Sequence, residues 1–377
     1  MNEVSLICKY ISEHPGTWKQ ELEERSIRTK IEGNLAIFNY GLDCDFSDPL
    51  VQEARGIIID LSNLEVVCFP FRKFGNFGES YADTIDWDSA RVQEKVDGSI
   101  MKVYFYDGKW RVATNGTIDA YYNDGNYIKS GRTFGVLFDE GAEDAGLDYS
   151  VLDPEYTYIF ELVSPDCPIV LKYPKTTIYH LGTRNNKTGE EVCVDIGVKK
   201  PKEYHLNSLE ECIESAKMMN ENAKLDELNG EGYVVVDKNW HRVKVKSPDY
   251  LKAHYCNAYN NPTDRRLVLL IRSGDAEEIC TYFPAFQKHI DRVQERLDNL
   301  KKVICQEIQK YEDDAKILPR YEFFKKYSKD RWGKNATSYY YNDSKSWTTL
   351  DEYVTLQLHF YNVEKLIQLY NEFYQEE

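Results

Sequence analysis

The sequence predicts an α+β protein: a β-rich N-terminal domain of antiparallel sheets and helices over residues 1–250, then an all-helical domain over 251–377. Two observations carry this. Before about residue 247 the apolar residues come in short runs rich in β-branched and aromatic types, separated by turn signals. After it they recur at spacings of three and four, the mark of amphipathic helices. A third observation bounds the class. With 377 residues, 42% hydrophobic and 29% charged, the chain can build a sizeable core, and wholesale disorder is excluded.

Taken in order, residues 27–40, 53–71, 99–116, 157–163, 176–185 and 231–247 read as strands or strand pairs. Asp107-Gly108 and the polar stretch Asp237–Arg242 are turn signals inside two of them. One helix interrupts the region: Ser208 with Glu211 three residues on fits a capping box ahead of helix formers. Ser247-Pro248 opens the helical part, with proline in a first turn. Phe286, Ile290, Val293, Leu297, Leu300, Ile304, Ile308 and Tyr311 then form one long amphipathic stripe, and a second long helix is expected from Leu350 to Tyr374.

Several function classes recede on composition. The nine cysteines are scattered, odd in number and without a CxxC pair, so neither a disulfide framework nor a zinc knot is indicated. The seven histidines show no metal-binding spacing. No apolar run is long enough to span a membrane, and the first twenty residues lack the pattern of a signal peptide, so a cytoplasmic protein is expected. The net charge of −16 argues against a uniformly basic nucleic-acid coat but leaves local basic grooves open, because screening confines each charge to a Debye length of about 8–10 Å. One such locality is 316–334, where seven Lys and Arg residues face Glu322 and Asp330 and are interleaved with Tyr321, Phe323, Phe324, Tyr327 and Trp332. Basic and aromatic residues in alternation suit phosphate contact and base stacking.

The chemistry-bearing residues fall in a fixed order. Ala54-Arg55-Gly56 enters a strand and Lys73-Phe74 follows the next. Glu94-Lys95-Val96-Asp97-Gly98-Ser99 precedes a strongly β-type run. Phe160-Glu161 ends a strand, Glu231-Gly232-Tyr233 begins one, and Val243-Lys244-Val245-Lys246 forms another. Period-two spacing puts Lys244 and Lys246 on one face, where adjacent ammonium groups suit a phosphate, and the valines on the other. Singly, each of these residues reads as an ordinary surface group; the ordered set does not.

That set resembles motifs I, III, IV and V of the covalent nucleotidyltransferases, the polynucleotide ligases and mRNA capping enzymes. Within them it is most similar to the T-even bacteriophage RNA ligase 1 family, which shares the upstream Ala-Arg-Gly element, the Lys-Phe pair and a Tyr beyond motif V, here Tyr250. The resemblance spans roughly residues 35–255. It implies a nucleotidyltransferase (ATP-grasp-like ligase) domain using ATP and Mg2+ or Mn2+. Lys95 would become adenylylated, with Lys244, Lys246 and Glu231 as its catalytic partners. Arg55, Lys73, Glu94, Gly98 and Glu161 would complete the nucleotide site, and Glu231, with Asp97 as a second candidate, would hold the metal. Nearby cations are expected to lower the Lys95 pKa. The implied partner is RNA with 5′-phosphate and 3′-hydroxyl ends, in the family a nicked tRNA, with no membrane and no obligate protein partner. One departure stands out: Thr114-Asn115-Gly116-Thr117 lies where that family has a basic residue before glycine. The competing readings are a DNA ligase or capping enzyme, which would place an OB-fold after motif V, and a binding module without catalysis.

Overall fold

The computed structural model describes residues 4–41, 44–122, 128, 131–224, 227–255, 263–341, 347 and 349–374. The chain divides into two compact units, Met1–Tyr259 and Asn260–Glu377.

The first unit holds three antiparallel sheets. One has the order β1-β2-β3-β4, from Ile27–Glu32, Leu35–Tyr40, Arg55–Asp60 and Glu65–Cys68. A four-stranded sheet is ordered β11-β5-β12-β13, where β5 is Arg91–Glu94, β11 Glu203–Tyr204, β12 Gly232–Val236 and β13 Arg242–Lys246. The five-stranded sheet runs β10-β9-β8-β6-β7, with β6 Ser99–Tyr106, β7 Lys109–Thr114, β8 Tyr156–Val163, β9 Thr177–Asn185 and β10 Glu191–Val192. The expected turn between β6 and β7 forms as the sequence demands. Asp107 and Gly108 take φ of 53° and 74°, the left-handed pair of a two-residue hairpin whose twist matches its strands.

The helices of this unit are more numerous than the single one expected. α1 (Leu6–Glu13), α2 (Trp18–Glu24) and α3 (Pro49–Glu53) cover the first sheet, where Ile7, Leu22, Phe38, Val51 and Ile57 form one core. α4 (Phe134–Ala145) packs Leu137 and Phe138 on Met101, Phe160 and Leu162 of the five-stranded sheet. Its glycines and acids obscure its period, but Thr133 caps it through the Val136 N–H and Gly146 closes it at φ 70°. α5 (Leu209–Met218) begins at Ser208 as expected, although Glu211 reaches back to the Asn207 N–H rather than to that of the cap. α6 (Pro248–Tyr255) follows β13 directly.

The second unit is helical, with no strand among its described residues. It contains α7 (Asp264–Ser273), α8 (Ala276–Tyr282), α9 (Gln287–Gln309), α10 (Glu312–Ile317), α11 (Arg320–Tyr327), α12 (Gly333–Tyr340), α13 (Leu350–Phe360) and α14 (Val363–Tyr374). The long stripe becomes α9, burying Ile290, Val293, Leu300, Ile304 and Ile308. The single helix expected from Leu350 to Tyr374 is two. Tyr361 is extended, the Asn362 side chain caps the next turn through the Lys365 N–H, and Arg272 of α7 donates to the carbonyls of Leu358 and Tyr361. Backbone groups that would close a continuous helix are thus satisfied by side chains. Among the described residues no helix is long and apolar enough to cross a membrane. The eight described cysteines form no disulfide, and Cys256 lies outside the described residues.

Candidate active site

β13 carries the lysine pair in the predicted alternation. Val243 and Val245 are 5% and 0% exposed in the core against α5, while Lys244 and Lys246 turn to the opposite face. β12 pairs with β13 on one side and with β5 on the other, so Gly232 lies opposite Lys246 and Tyr233 opposite Glu94. This register draws three distant segments to one place. Lys95, just past β5, donates its N–H to the Gly232 carbonyl at 2.9 Å, and its Nζ lies 2.9 Å from Glu231 Oε2.

Above that ion pair opens a cavity of about 200 Å3. Arg55, Glu94, Lys95, Glu161, Lys244 and Lys246 line it, together with Phe71, Phe74, Leu181 and Val234. Charged and apolar side chains around one cavity suit a nucleotide's phosphates and base. Buried Arg55 Nε has no hydrogen-bond partner, and the guanidinium rests over Phe74 at 5.1 Å.

Arg242 also lines the cavity, stacked over Phe71 at 4.1 Å and held by Glu191 at 2.5 and 2.8 Å. The sequence reading did not single it out, yet it continues the period-two series of Lys244 and Lys246. Lys102 is a second omission: fully buried beneath the Arg55 element, it donates to the Gly56 carbonyl at 2.6 Å, and burial pulls its amine down to about 8. Its position in a β-type run signals a strand but not a charge inside a core.

Lys73 stands apart from the residues expected with it. Lys73 is not among the lining residues; its ammonium sits 4.6 Å over the Phe46 ring and 5.4 Å over that of Tyr40. Asn115 lines a different cavity. Asp97 is 3% exposed and its oxygens are occupied: one accepts from the N–H groups of Val170 and Leu171 at 2.9 and 2.7 Å, the other from the Tyr250 hydroxyl at 2.7 Å. It anchors the loop that carries Lys95, and Tyr250, on α6, secures that anchor. Gly98 is required for a local reason. A β-carbon there would stand 2.3 Å from the Leu162 carbonyl oxygen of β8, and its N–H donates to Glu161 Oε1 at 3.1 Å.

The electrostatics correct the expected depression of the Lys95 pKa. Burial does push the amine toward neutrality, but the carboxylates of Glu231, Glu161 and Asp97 outweigh it and hold the ammonium above its ordinary value. Desolvation raises Glu231, against the pull of Lys95 and Lys246. Burial likewise lifts Glu161 to about 7, opposed by Lys95 and reinforced by Glu231. The site is therefore a lysine enclosed by acids, with Lys244 and Lys246 along the wall. Among the described residues no three His, Cys, Asp or Glu side chains are grouped to hold a metal ion by themselves.

Residues 53–250 match the RNA ligase family of the phage T4 RNA ligase 1 type. The chain is 32% identical, over 68% of its length, to a protein of Autographa californica nuclear polyhedrosis virus provisionally named bifunctional polynucleotide kinase/RNA ligase, of which it spans 39%. It is 26% identical, over 65% of its length, to the RNA ligase of Rhodothermus phage RM378, of which it spans 71%. Among solved structures, an archaeal ATP-dependent RNA ligase is similar at 15% identity and a TM-score of 0.42, over 70% of this chain and 67% of that one.

Proposed function

The chain belongs to the RNA ligase family of the T4 RNA ligase 1 type, and on that footing we propose that it joins a 5′-phosphate RNA end to a 3′-hydroxyl RNA end at the expense of ATP. One observation carries the reading: Lys95, at 2.9 Å from Glu231, lies in a cavity whose wall presents Arg55, Lys244 and Lys246.

The chemistry runs in three transfers. Lys95 Nζ, once deprotonated, attacks the α-phosphorus of ATP; a P–N bond forms, the α–β bridge breaks, and pyrophosphate leaves with the electron pair. An oxygen of the RNA 5′-phosphate then attacks the same phosphorus, the P–N bond breaks, and the amine of Lys95 regains its proton. Finally the 3′-hydroxyl attacks the activated 5′-phosphate, loses its proton and displaces AMP. Lys244 and Lys246 serve all three steps by offsetting the negative charge that gathers on phosphorus.

The first transfer needs a free amine, which the surrounding acids oppose. Glu231 is the nearest acceptor for the Lys95 proton. It is also the carboxylate that the family resemblance assigns to a divalent cation, Mg2+ or Mn2+, which takes one or two protein carboxylates and completes its shell with water and phosphate oxygens. Such an ion would supply charge neutralisation. Asp97, with both oxygens engaged, fits an anchoring role instead.

The helices after β13 favour an RNA ligase over enzymes that follow motif V with an OB-fold. Sealing of matched RNA and DNA ends tests this directly. Joining of RNA ends with DNA ends left open is the expected result; equal or better joining of DNA overturns it. A nicked tRNA in the cytosol is the proposed natural substrate, and faster sealing of a nicked anticodon stem-loop than of unstructured RNA is the outcome expected.

A further inference from the structure

The segment that leads into β11 ties two sheets together beside the nucleotide cavity. The His180 N–H of β9 donates to the Lys199 carbonyl at 2.8 Å, and the Glu94 N–H of β5 donates to the Lys202 carbonyl at 2.7 Å. Glu94 immediately precedes Lys95, so this bridge has a fixed place relative to the site. Between its two ends Pro201 is buried and lines the nucleotide cavity, where a residue without an N–H leaves no donor unpaired. Lys199, Lys200 and Lys202 are exposed.

The partners of these three ammonium groups are rings, a hydroxyl and a thiol. Lys199 Nζ sits 4.6 Å over the Tyr179 ring and donates to the hydroxyl of that residue at 3.2 Å. Lys202 Nζ sits 4.7 Å over the Tyr204 ring, and Lys200 Nζ lies 4.0 Å from Cys193 Sγ. Such contacts hold a lysine in place and leave its charge in force. Glu203, the adjacent acid, is engaged elsewhere, by Arg91 at 3.4 Å and by the Gln93 amide at 3.2 Å.

Lys200 also lines a small cavity of about 30 Å3, with Arg91, Arg242 and Trp240. Gln93, Leu181 and Arg242 line this cavity and the nucleotide cavity alike, so the two adjoin. The strand register explains the continuity. Gln93, Val234 and Lys244 lie side by side across β5, β12 and β13, and Arg91, Val236 and Arg242 lie side by side one rung further from Lys95. Cations thus run along one sheet face from Lys246 past Lys244 and Arg242 to Arg91, and Lys200 continues them.

The charge of a nucleotide lies on its phosphates, which belong with Lys95, Lys244 and Lys246. Lys199 and Lys202 are outside the lining of that cavity. The substrate that extends past it is the RNA, a chain with one negative charge per nucleotide. We infer that Lys199, Lys200 and Lys202, with Arg91, form a docking surface for the backbone phosphates of the RNA strand being joined. The inference rests on the ligase reading and adds where the RNA lies outside the nucleotide cavity. It also reconciles RNA binding with a net charge of −16, because a local positive surface beside the cavity concentrates RNA where the chemistry occurs.

The test is equilibrium binding of a short 5′-phosphorylated single-stranded RNA, without ATP and over a range of salt. Wild type is compared with the full chain carrying Lys199→Ala, Lys200→Ala and Lys202→Ala together, with AMP labelling of each alongside. The substitutions should lower the salt slope by about 2, from three contacts at about 0.7 each, and so weaken binding about 100-fold near 0.1 M salt. Labelling should persist. An unchanged slope overturns the surface, as does a wild type without RNA affinity. Loss of labelling with RNA affinity intact also overturns it, since the lysines would then serve ATP. Lys9→Ala, Lys19→Ala and Lys30→Ala together, at exposed positions on α1, α2 and β1, control for net charge. An equal loss in that variant overturns the proposal. A wild type that binds RNA through these lysines yet takes no label defeats the ligase reading and leaves the surface. One that labels, and whose RNA affinity ignores them, defeats the surface alone.

Discussion

Glu161 sits beside a lysine and yet is lifted to about 7, because burial and the neighbouring Glu231 outweigh the attraction of Lys95. This has a consequence for stability. A carboxyl whose folded pKa exceeds its ordinary value of 4.5 binds its proton more tightly folded than unfolded. Its contribution is complete below about pH 4.5 and is lost as pH rises through about 7. Glu161→Gln should therefore gain stability relative to wild type between pH 5 and pH 8, as read by paired thermal melts; an identical difference at both pH values contradicts the buried placement. Gly98→Ala is the steric counterpart. Its added carbon meets a backbone oxygen at 2.3 Å, which cannot swing aside, so a loss of about 2 kcal/mol is expected in denaturant titrations. Lys95, Gly98, Glu231 and the lysine pair were legible from the sequence because motif spacing survives folding. The carboxylate excess around Lys95 was not, since it arises from segments 66 and 136 residues away meeting at one point. Lys102 was hidden for the same reason.

Among the elements, β13 does the most. Its alternation decides that valines enter the core and lysines enter the cavity, and the reading of period two was sufficient to see this. Lys244→Ala and Lys246→Ala should each slow enzyme adenylylation about 100-fold, with the melting temperature little changed because neither side chain belongs to the core. A rate within threefold of wild type would place the phosphates elsewhere. α11 is the corresponding element of the second unit. Phe323 and Trp332 of the basic-aromatic stretch are core, and Lys326 and Tyr327 are engaged by Asp314. Tyr321 and Phe324, 75% and 43% exposed, share a surface with exposed Arg320 and Lys325. Replacing Tyr321 and Lys325 by alanine should weaken RNA sealing and lower its salt slope by about 0.7 for the one charge removed. Unchanged sealing of a tRNA-like substrate would reduce this face to ordinary surface. The α13–α14 break escaped the sequence because the caps that cause it come partly from Arg272, nearly ninety residues distant.

For the whole molecule, class and order of elements followed from texture alone: β-type runs, then helical periodicity. The helices α1 to α4 did not, because they are short or diluted by glycine and acids and depend on tertiary packing. The proposed function requires this scaffold to make Lys95 a nucleophile. Incubation with α-labelled ATP and a divalent metal, followed by a denaturing gel, tests it most directly. The expected result is a label on the wild type that is acid-labile, as a P–N bond is, and absent from Lys95→Ala. A label that persists in Lys95→Ala, or a wild type that binds ATP and never becomes labelled, would contradict it.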